Sequence, residues 1–123
     1  MPAGFDARVV FWTGDGTATR VIPVDVPLDV GTVVVQVFPL NAGPCMRFTG
    51  MAGTNPSGFP GTVANGVSAF TAAGFEVTEG LDNTVNANLE PYMAVVLRDT
   101  VGTYLRVGTY VGDGVNDRDI VIG

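Results

Sequence analysis

The chain contains no histidine and no lysine, and it has only two serines and one cysteine. Without histidine there is no Ser-His-Asp triad, and the commonest neutral metal ligand is missing. Without lysine there is no Schiff-base or Ser-Lys chemistry. The lone Cys45 permits no internal disulfide and is interpreted as a packed thiol. We therefore predict that the protein is not an enzyme and holds no cofactor or metal.

Acidic side chains leave two chemical hypotheses to weigh. A hydrolase would need a carboxylate pair, and four acids fall in one region: Glu76, Glu79, Asp82 and Glu90. A calcium site would need clustered oxygen ligands, which one stretch offers: Asp113, Asn116, Asp117 and Asp119. The calcium spacing does not match an EF-hand loop, and acids between strands are typical of solvated surface. A structural role is favoured over both.

Positive charge and long apolar runs are also scarce. Twelve acidic residues against six arginines give a net charge of −6, which opposes attraction to phosphate backbones and anionic lipids. No apolar run approaches the roughly 20 residues that span a bilayer. Residues 1–6 have neither the basic start nor the apolar core of a signal peptide. We predict no nucleic-acid partner, no membrane association and synthesis in the cytoplasm.

The residues that are abundant favour strands and turns. There are 21 valines and 13 threonines but only three glutamates, so residues that suit a pleated surface outnumber helix formers. Seventeen glycines and eight prolines supply turns at short intervals. We predict one all-β domain over residues 1–123, an antiparallel β-sandwich or jelly roll of seven to eight short strands.

Individual strands follow from local patterns. Residues 32–38 are apolar on nearly both faces, which predicts a central strand covered from two sides by a second sheet or a partner. Residues 92–98 form a second buried strand. Residues 22–30 are apolar at every even position and carry prolines between, which predicts an edge strand. Residues 68–77 remain ambiguous between a strand and a short helix.

The segment 8–22 returns 98 positions later as 106–120, with seven identical residues. The identical pairs are Arg8/Arg106, Val9/Val107, Gly14/Gly112, Asp15/Asp113, Gly16/Gly114, Arg20/Arg118 and Ile22/Ile120. We predict the same hairpin at both places, the second beginning with a strand over 104–111. A further hypothesis is that the second copy pairs with a neighbouring subunit's sheet as the first pairs within its own.

Residues 40–66 lack the regular spacing of strands and turns that the rest of the chain shows. They contain six glycines and three prolines, yet also large apolar side chains. We predict an extended docking loop there, the alternative being a loop that folds over its own sheet. The arginines of the repeat suit carboxylate pairs, either between subunits or within the surface of one chain. The predicted interface residues are Met46, Phe48, Met51, Phe59, Arg20, Arg118, Trp12 and Tyr110.

Several of these motifs together resemble a module of tailed-bacteriophage virion proteins. That module has an aromatic-Thr-Gly-Asp-Gly turn followed by Arg-x-Ile, as in residues 11–22 and again, with variation, in 110–120. It also has a Gly-Phe-x-Val stretch, a Val-Asn-x-Asn stretch and an aromatic strand ending in arginine, here at 74–77, 85–88 and 92–98. The resemblance covers roughly half of the chain and omits 40–66. The sequence departs from the module at 89–91, where a glycine turn is usual.

The resemblance implies a virion structural protein that is located in the phage particle. The absence of a fibre shaft favours a capsid decoration or head-spike-base protein, a homo-oligomer that binds the major capsid protein or other virion proteins. The alternative is a tail-fibre module or a receptor-binding tip that recognises carbohydrate. Its candidate aromatic residues are Trp12, Tyr92, Tyr104 and Tyr110.

Overall fold

The computed structural model describes residues 2–40, 44–50, 66–78, 85–108 and 112–121. Within these ranges it has seven strands and no helix. The strands are β1 (Phe5–Thr13), β2 (Thr19–Pro23), β3 (Thr32–Pro39), β4 (Cys45–Phe48), β5 (Gly66–Phe70), β6 (Gly74–Thr78) and β7 (Pro91–Asp99). The predicted all-β class is confirmed.

The strands form two antiparallel sheets with the orders β1-β7-β3-β4 and β2-β6-β5. Side chains from the facing sides of both sheets build one core, as in a β-sandwich. Val33, Val35 and Val37 of β3 are fully buried at alternate positions, as strand geometry requires. Burial of each such valine stabilises the fold by about 1.5–3 kcal/mol.

The first copy of the repeat is not a hairpin, so that prediction is wrong. β1 pairs with β7 in the four-stranded sheet, whereas β2 pairs with β6 in the other sheet. The connection through Gly14 and Gly16 therefore crosses from one sheet to the other. Trp12 and Ile22 both point into the core, but they reach it from opposite sheets.

The predicted central and buried strands are confirmed as β3 and β7, which pair with each other along their length. The ambiguous residues 68–77 belong to β5 and β6, which pair as a hairpin around a turn at 71–73. Within the chain, β3 is covered on its inner face only, because Gln36 and Phe38 on its outer side are exposed; cover of the outer side by a partner stays a prediction.

Two further expectations are corrected in part. β2 is an edge strand as predicted, but it ends at Pro23, and residues 24–31 form no strand. Ile22, Val26 and Leu28 are nonetheless buried, so the even-position pattern does mark core contacts. The predicted docking loop over 40–66 contains β4, which pairs with β3. Its residues 41–43 and 51–65 lie outside the described residues.

The second copy of the repeat, with the residues that lead into it, has no strand over the described residues 102–108 and 112–120. The predicted strand over 104–111 is therefore absent at 104–108, and 109–111 lie outside the described residues. The segment turns away after β7 because the carboxylate of Asp99 accepts four backbone N–H bonds, from Val101, Gly102, Tyr104 and Leu105. Every described residue from 112 to 121 is exposed.

Candidate interaction surface and loop site

The outer side of the four-stranded sheet is built almost wholly from apolar side chains. Cross-strand pairing aligns them in three rows, because directly paired residues of antiparallel strands point to the same side. The rows are Phe11-Met93-Phe38, Val9-Val95-Gln36-Met46 and Ala7-Leu97-Val34-Phe48. We call these eleven residues the outer face. Gln36 is its one polar member and none of the eleven is charged.

Exposure on the outer face is highest along β1. Phe11 is 73% exposed and Val9 is 58% exposed, while Phe38 on β3 is 39% exposed. Large apolar side chains that lie together in solvent typically mark an interaction surface, whereas single ones do not. The outer face is therefore the strongest candidate for contact with another protein.

The dimensions of the outer face limit what it can do alone. Four strands spaced about 4.8 Å apart, with rows spanning about five residues of about 3.3 Å each, give a patch of roughly 300 Å². A stable protein interface buries about 800 Å² on each partner. The outer face by itself supports weak contact, which becomes useful where many copies bind at once.

A second feature lies at one end of the sandwich, where the Gly14-Asp15-Gly16 loop contacts residues 85–90. Gly14 donates its N–H to the Glu90 carbonyl over 2.8 Å and accepts the Leu89 N–H over 2.8 Å. Gly16 donates to the Asn86 carbonyl over 2.9 Å. A Cβ at Gly14 would lie 1.8 Å from the Ala87 carbonyl oxygen, so only glycine permits this approach.

The side chain of Asn86 completes this loop site and is fully buried. Its amide nitrogen donates to the Asp15 carboxylate over 2.7 Å and to the Thr17 carbonyl over 3.0 Å. Its amide oxygen accepts the Asp15 backbone N–H and an Arg20 N–H, both over 3.3 Å. A buried amide with these partners fixes the loop in one arrangement.

The loop site strongly favours the ionised form of Asp15. The Thr17 hydroxyl donates to the carboxylate over 2.7 Å and the Thr17 N–H donates over 3.0 Å, and Asn86 adds a third bond. These bonds lower the pKa of Asp15 to about 2, and the Arg20 guanidinium, 3.6 Å away, adds a smaller effect in the same direction.

Aromatic packing anchors the same end of the sandwich. Trp12 stacks on Tyr92 with ring centroids 5.3 Å apart and meets Phe75 edge-on at 5.6 Å. Its indole N–H donates to the Val85 carbonyl over 3.1 Å, and the Tyr92 hydroxyl accepts the Ala87 N–H over 2.9 Å. The two buried rings thus bind the segment that carries Asn86.

The structure places the predicted interface residues in different environments. Trp12 is in the core, Phe48 is buried on the outer side of β4, and Met46 is half-buried beside it. Arg20 and Arg118 each pair with the aspartate of their own loop, Asp15 at 3.6 Å and Asp113 at 3.4 Å. Three of the predicted residues lie outside the described residues: Met51, Phe59 and Tyr110. An interface role for the set stays a prediction.

Sequence reasoning missed most residues of both sites, although Met46 and Phe48 of the outer face and Arg20 of the loop site were among the predicted interface residues. The alternating pattern of the strands placed Phe11, Val9 and Phe38 on the side opposite to the core. The pattern does not show whether other residues cover that side. Asn86 was visible only as part of Val-Asn-Ala-Asn, a stretch whose polarity is typical of an exposed turn. The two strongest candidate features therefore required the fold.

The acidic positions weighed earlier are not gathered into one site among the described residues. Glu76 accepts a hydrogen bond from the Ser68 hydroxyl, Glu90 precedes β7, and Glu79 and Asp82 lie outside the described residues. In the ranges that the structure describes, no three histidine, cysteine, aspartate or glutamate side chains are placed to hold a metal ion.

The carbohydrate alternative depends on exposed aromatic rings. Trp12 and Tyr92 are buried, at 8% and 5% exposed, while Tyr104 is 53% exposed and meets the Phe5 ring edge-on. Tyr110 lies outside the described residues. A stacking surface that uses Trp12 and Tyr92 would require the core to open.

None of the described residues forms a helix of the length and hydropathy needed to cross a bilayer. Comparison of the chain with protein-family models, with curated proteins and with solved structures gives no match.

Proposed function

We propose that this protein is a structural component of a bacteriophage virion, a capsid decoration or head-spike-base protein that assembles through its outer face. The observation that carries the proposal is the uncharged apolar surface centred on Phe11 and Val9, which a protein working alone would leave in water. The resemblance of residues 11–22, 74–77, 85–88 and 92–98 to virion modules supplies the context.

The outer face suits contact between copies of the chain. Each copy carries a net charge of −6, so two copies repel each other, and only a contact surface free of carboxylates avoids adding close like-charge pairs to that repulsion. The outer face meets that condition. Because the patch is small, contacts of this kind hold best on a lattice that presents many sites at once, such as a capsid surface.

Purified particles test the proposal. Particles of the phage that encodes the chain would be banded on a density gradient. The chain would then be quantified by mass spectrometry and located by immunogold labelling. We expect many copies per particle, labelled on the head. Particles that lack the chain would overturn the proposal, and label confined to the tail would favour the tail-fibre alternative.

A matched pair of variants connects the particle experiment to the outer face. Phe11→Ser removes its most exposed ring, while Val21→Ser changes a 41% exposed apolar residue of β2, in the other sheet. We expect Phe11→Ser to reduce incorporation into particles at least tenfold and Val21→Ser to leave it unchanged. Equal incorporation of both variants would exclude the outer face as the contact.

A further inference from the structure

Two glycines of the segment 102–120 share a positive φ with the glycines 98 positions earlier. Gly4 and Gly102 have φ of 80° and 82°, and Gly16 and Gly114 have φ of 73° and 76°. Each pair is separated by the same 98 positions that separate the two sequence copies. Positive φ therefore recurs at these two glycine positions, although the first copy contains β1 and β2, and residues 102–108 and 112–120 contain no strand.

The side-chain contacts of the first loop also recur in the second. In the first copy, the Asp15 carboxylate accepts the N–H two residues later over 3.0 Å and lies 3.6 Å from Arg20. In the second copy, the Asp113 carboxylate accepts the N–H two residues later over 3.0 Å and lies 3.4 Å from Arg118. The second loop therefore repeats these two contacts of the first loop without lying against residues 85–90.

Among the residues that the structure describes, none requires position 112 to be glycine. Its counterpart Gly14 must be glycine, because a Cβ there would lie 1.8 Å from the Ala87 carbonyl oxygen. A Cβ at Gly112 would meet nothing within 4 Å, and its φ is not in the left-handed region. Glycine at position 112 is, however, the residue that this loop would need if it took the place of the Gly14 loop against residues 85–90.

The chain path starts the second copy at the far end of β7 from the loop site, where a return along β7 would begin. In the register of β1 on β7, Phe5 lies opposite Asp99, and the residue equivalent to Phe5 in the second copy is Thr103. Only three residues, 100–102, separate Asp99 from Thr103. A three-residue connection is a common hairpin loop between antiparallel strands.

We propose that the second copy is an alternative occupant of the site that the first copy fills. The chain folds back after Asp99, residues from Thr103 onward pair with β7 in place of β1, and the 112–114 loop lies against residues 85–90. Residues 5–23 are then released for contact with another molecule. This exchange goes beyond the proposed function and does not depend on it.

The first copy holds the site in the observed state for identifiable reasons. The Thr17 hydroxyl accepts a hydrogen bond from Asn86 over 3.1 Å, and its equivalent, Val115, has no hydroxyl. The Asp99 carboxylate accepts the N–H groups of Tyr104 and Leu105, which keeps the second copy turned away from β7. Exchange therefore populates a minor state until the first copy is weakened.

A mutant cycle on the full chain tests the exchange. Gly14→Ala prevents the first loop from binding, Gly112→Ala is the matched change in the second loop, and the double variant carries both. We expect Gly112→Ala alone to leave the melting temperature unchanged and Gly14→Ala to remain folded. The double variant should melt roughly 5 °C or more below Gly14→Ala, because the second loop has then become necessary.

The single tryptophan reports which copy holds the site. Trp12 is buried in the observed state, and the second copy has Tyr110 at the equivalent position. In Gly14→Ala we expect red-shifted, acrylamide-quenchable Trp12 emission from a chain that retains β-structure by circular dichroism. Light scattering should give a monomer mass, because the exchange occurs within one chain.

Three results would overturn the proposal. Gly14→Ala and the double variant could melt at the same temperature, which would show that the second loop contributes nothing. Trp12 could stay buried in a folded Gly14→Ala chain, which would show that the first copy never leaves. A dimer formed by Gly14→Ala would place the second copy on a neighbouring molecule instead of its own β7.

Discussion

Asp15 and Asn86 lie 71 positions apart in the chain, yet they bind each other through two hydrogen bonds. The Asn86 amide donates to the Asp15 carboxylate over 2.7 Å, and its oxygen accepts the Asp15 backbone N–H over 3.3 Å. Asp15 belongs to the connection that leaves the four-stranded sheet, and Asn86 belongs to the one that returns to it at β7. Their pairing closes one end of the sandwich.

Replacing Asn86 should destabilise the protein more than any polar surface change. Asn86→Ala removes the buried amide and leaves groups of Asp15 and Thr17 without their partner, so we expect the free energy of unfolding to fall by about 2–3 kcal/mol. Urea denaturation at neutral pH measures the change. Asn88→Ala, two residues along at an exposed position, serves as the control and should change it little.

Stability should decline in acid because two aspartates have lowered pKa values. Hydrogen bonds from Thr17 and Asn86 lower the pKa of Asp15 to about 2. Burial raises the pKa of Asp99, but its four backbone N–H bonds outweigh that effect and lower it overall. A carboxyl group whose pKa is lower in the folded than in the unfolded protein stabilises the fold at pH values above about 3.9, the ordinary aspartate pKa. This stabilisation is lost as the pH falls toward about 2.

The acid effect is measured by urea midpoints between pH 5 and pH 2. We expect the midpoint to fall steadily over this window, and the fall to be smaller in Asp15→Asn, which has no charge to lose. Asp29→Asn, an exposed position, should follow the unmodified chain. A pH dependence identical in Asp15→Asn and the unmodified chain would show that Asp15 is not responsible.

Leu89 adopts a backbone conformation that normally favours glycine. Its φ is 64° and its side chain is 78% exposed, so the conformation costs energy without a packing contact of similar size. We expect Leu89→Gly to be more stable than Leu89→Ala by about 1 kcal/mol, because both lose the side chain and only glycine relieves the backbone. Thermal melts of the two variants provide the comparison; equal stability would contradict it.

The sequence predicted the parts of the fold that depend on local alternation. The valines of residues 32–38 and the apolar residues of 92–98 identified β3 and β7, because a buried strand needs apolar side chains at successive inward positions. The same alternation could not show which strands pair. Trp12 and Ile22 point inward whether their strands pair in one sheet or face each other across two, so the predicted hairpin was indistinguishable from a crossing connection.

The candidate sites depend on contacts between distant residues. The outward positions of β1, including Phe11, become a surface only when β7 and β3 align beside them. The burial of Asn86 requires the Gly14–Gly16 loop to pack on it, and the polar stretch around Asn86 gives no sign of this. β4 was missed because four residues within a glycine- and proline-rich segment are too few to establish a period.

Cys45 should be unreactive while the protein is folded. Its thiol is buried in the core, and burial raises its pKa to about 12, so almost no thiolate forms at neutral pH. We expect slow modification by a disulfide reagent at pH 8 in the folded protein and rapid modification in denaturant. Rapid reaction of the folded chain would show that β4 separates readily from β3.

The account depends most directly on whether the outer face binds protein. Sedimentation velocity of the unmodified chain, Phe11→Ser and Val21→Ser, from micromolar to about millimolar concentration, measures this. We expect weak, concentration-dependent association of the unmodified chain and Val21→Ser, with the dissociation constant raised at least tenfold in Phe11→Ser, equivalent to about 1.4 kcal/mol. Three chains that remain monomers throughout, or that associate equally, would contradict assembly through this face.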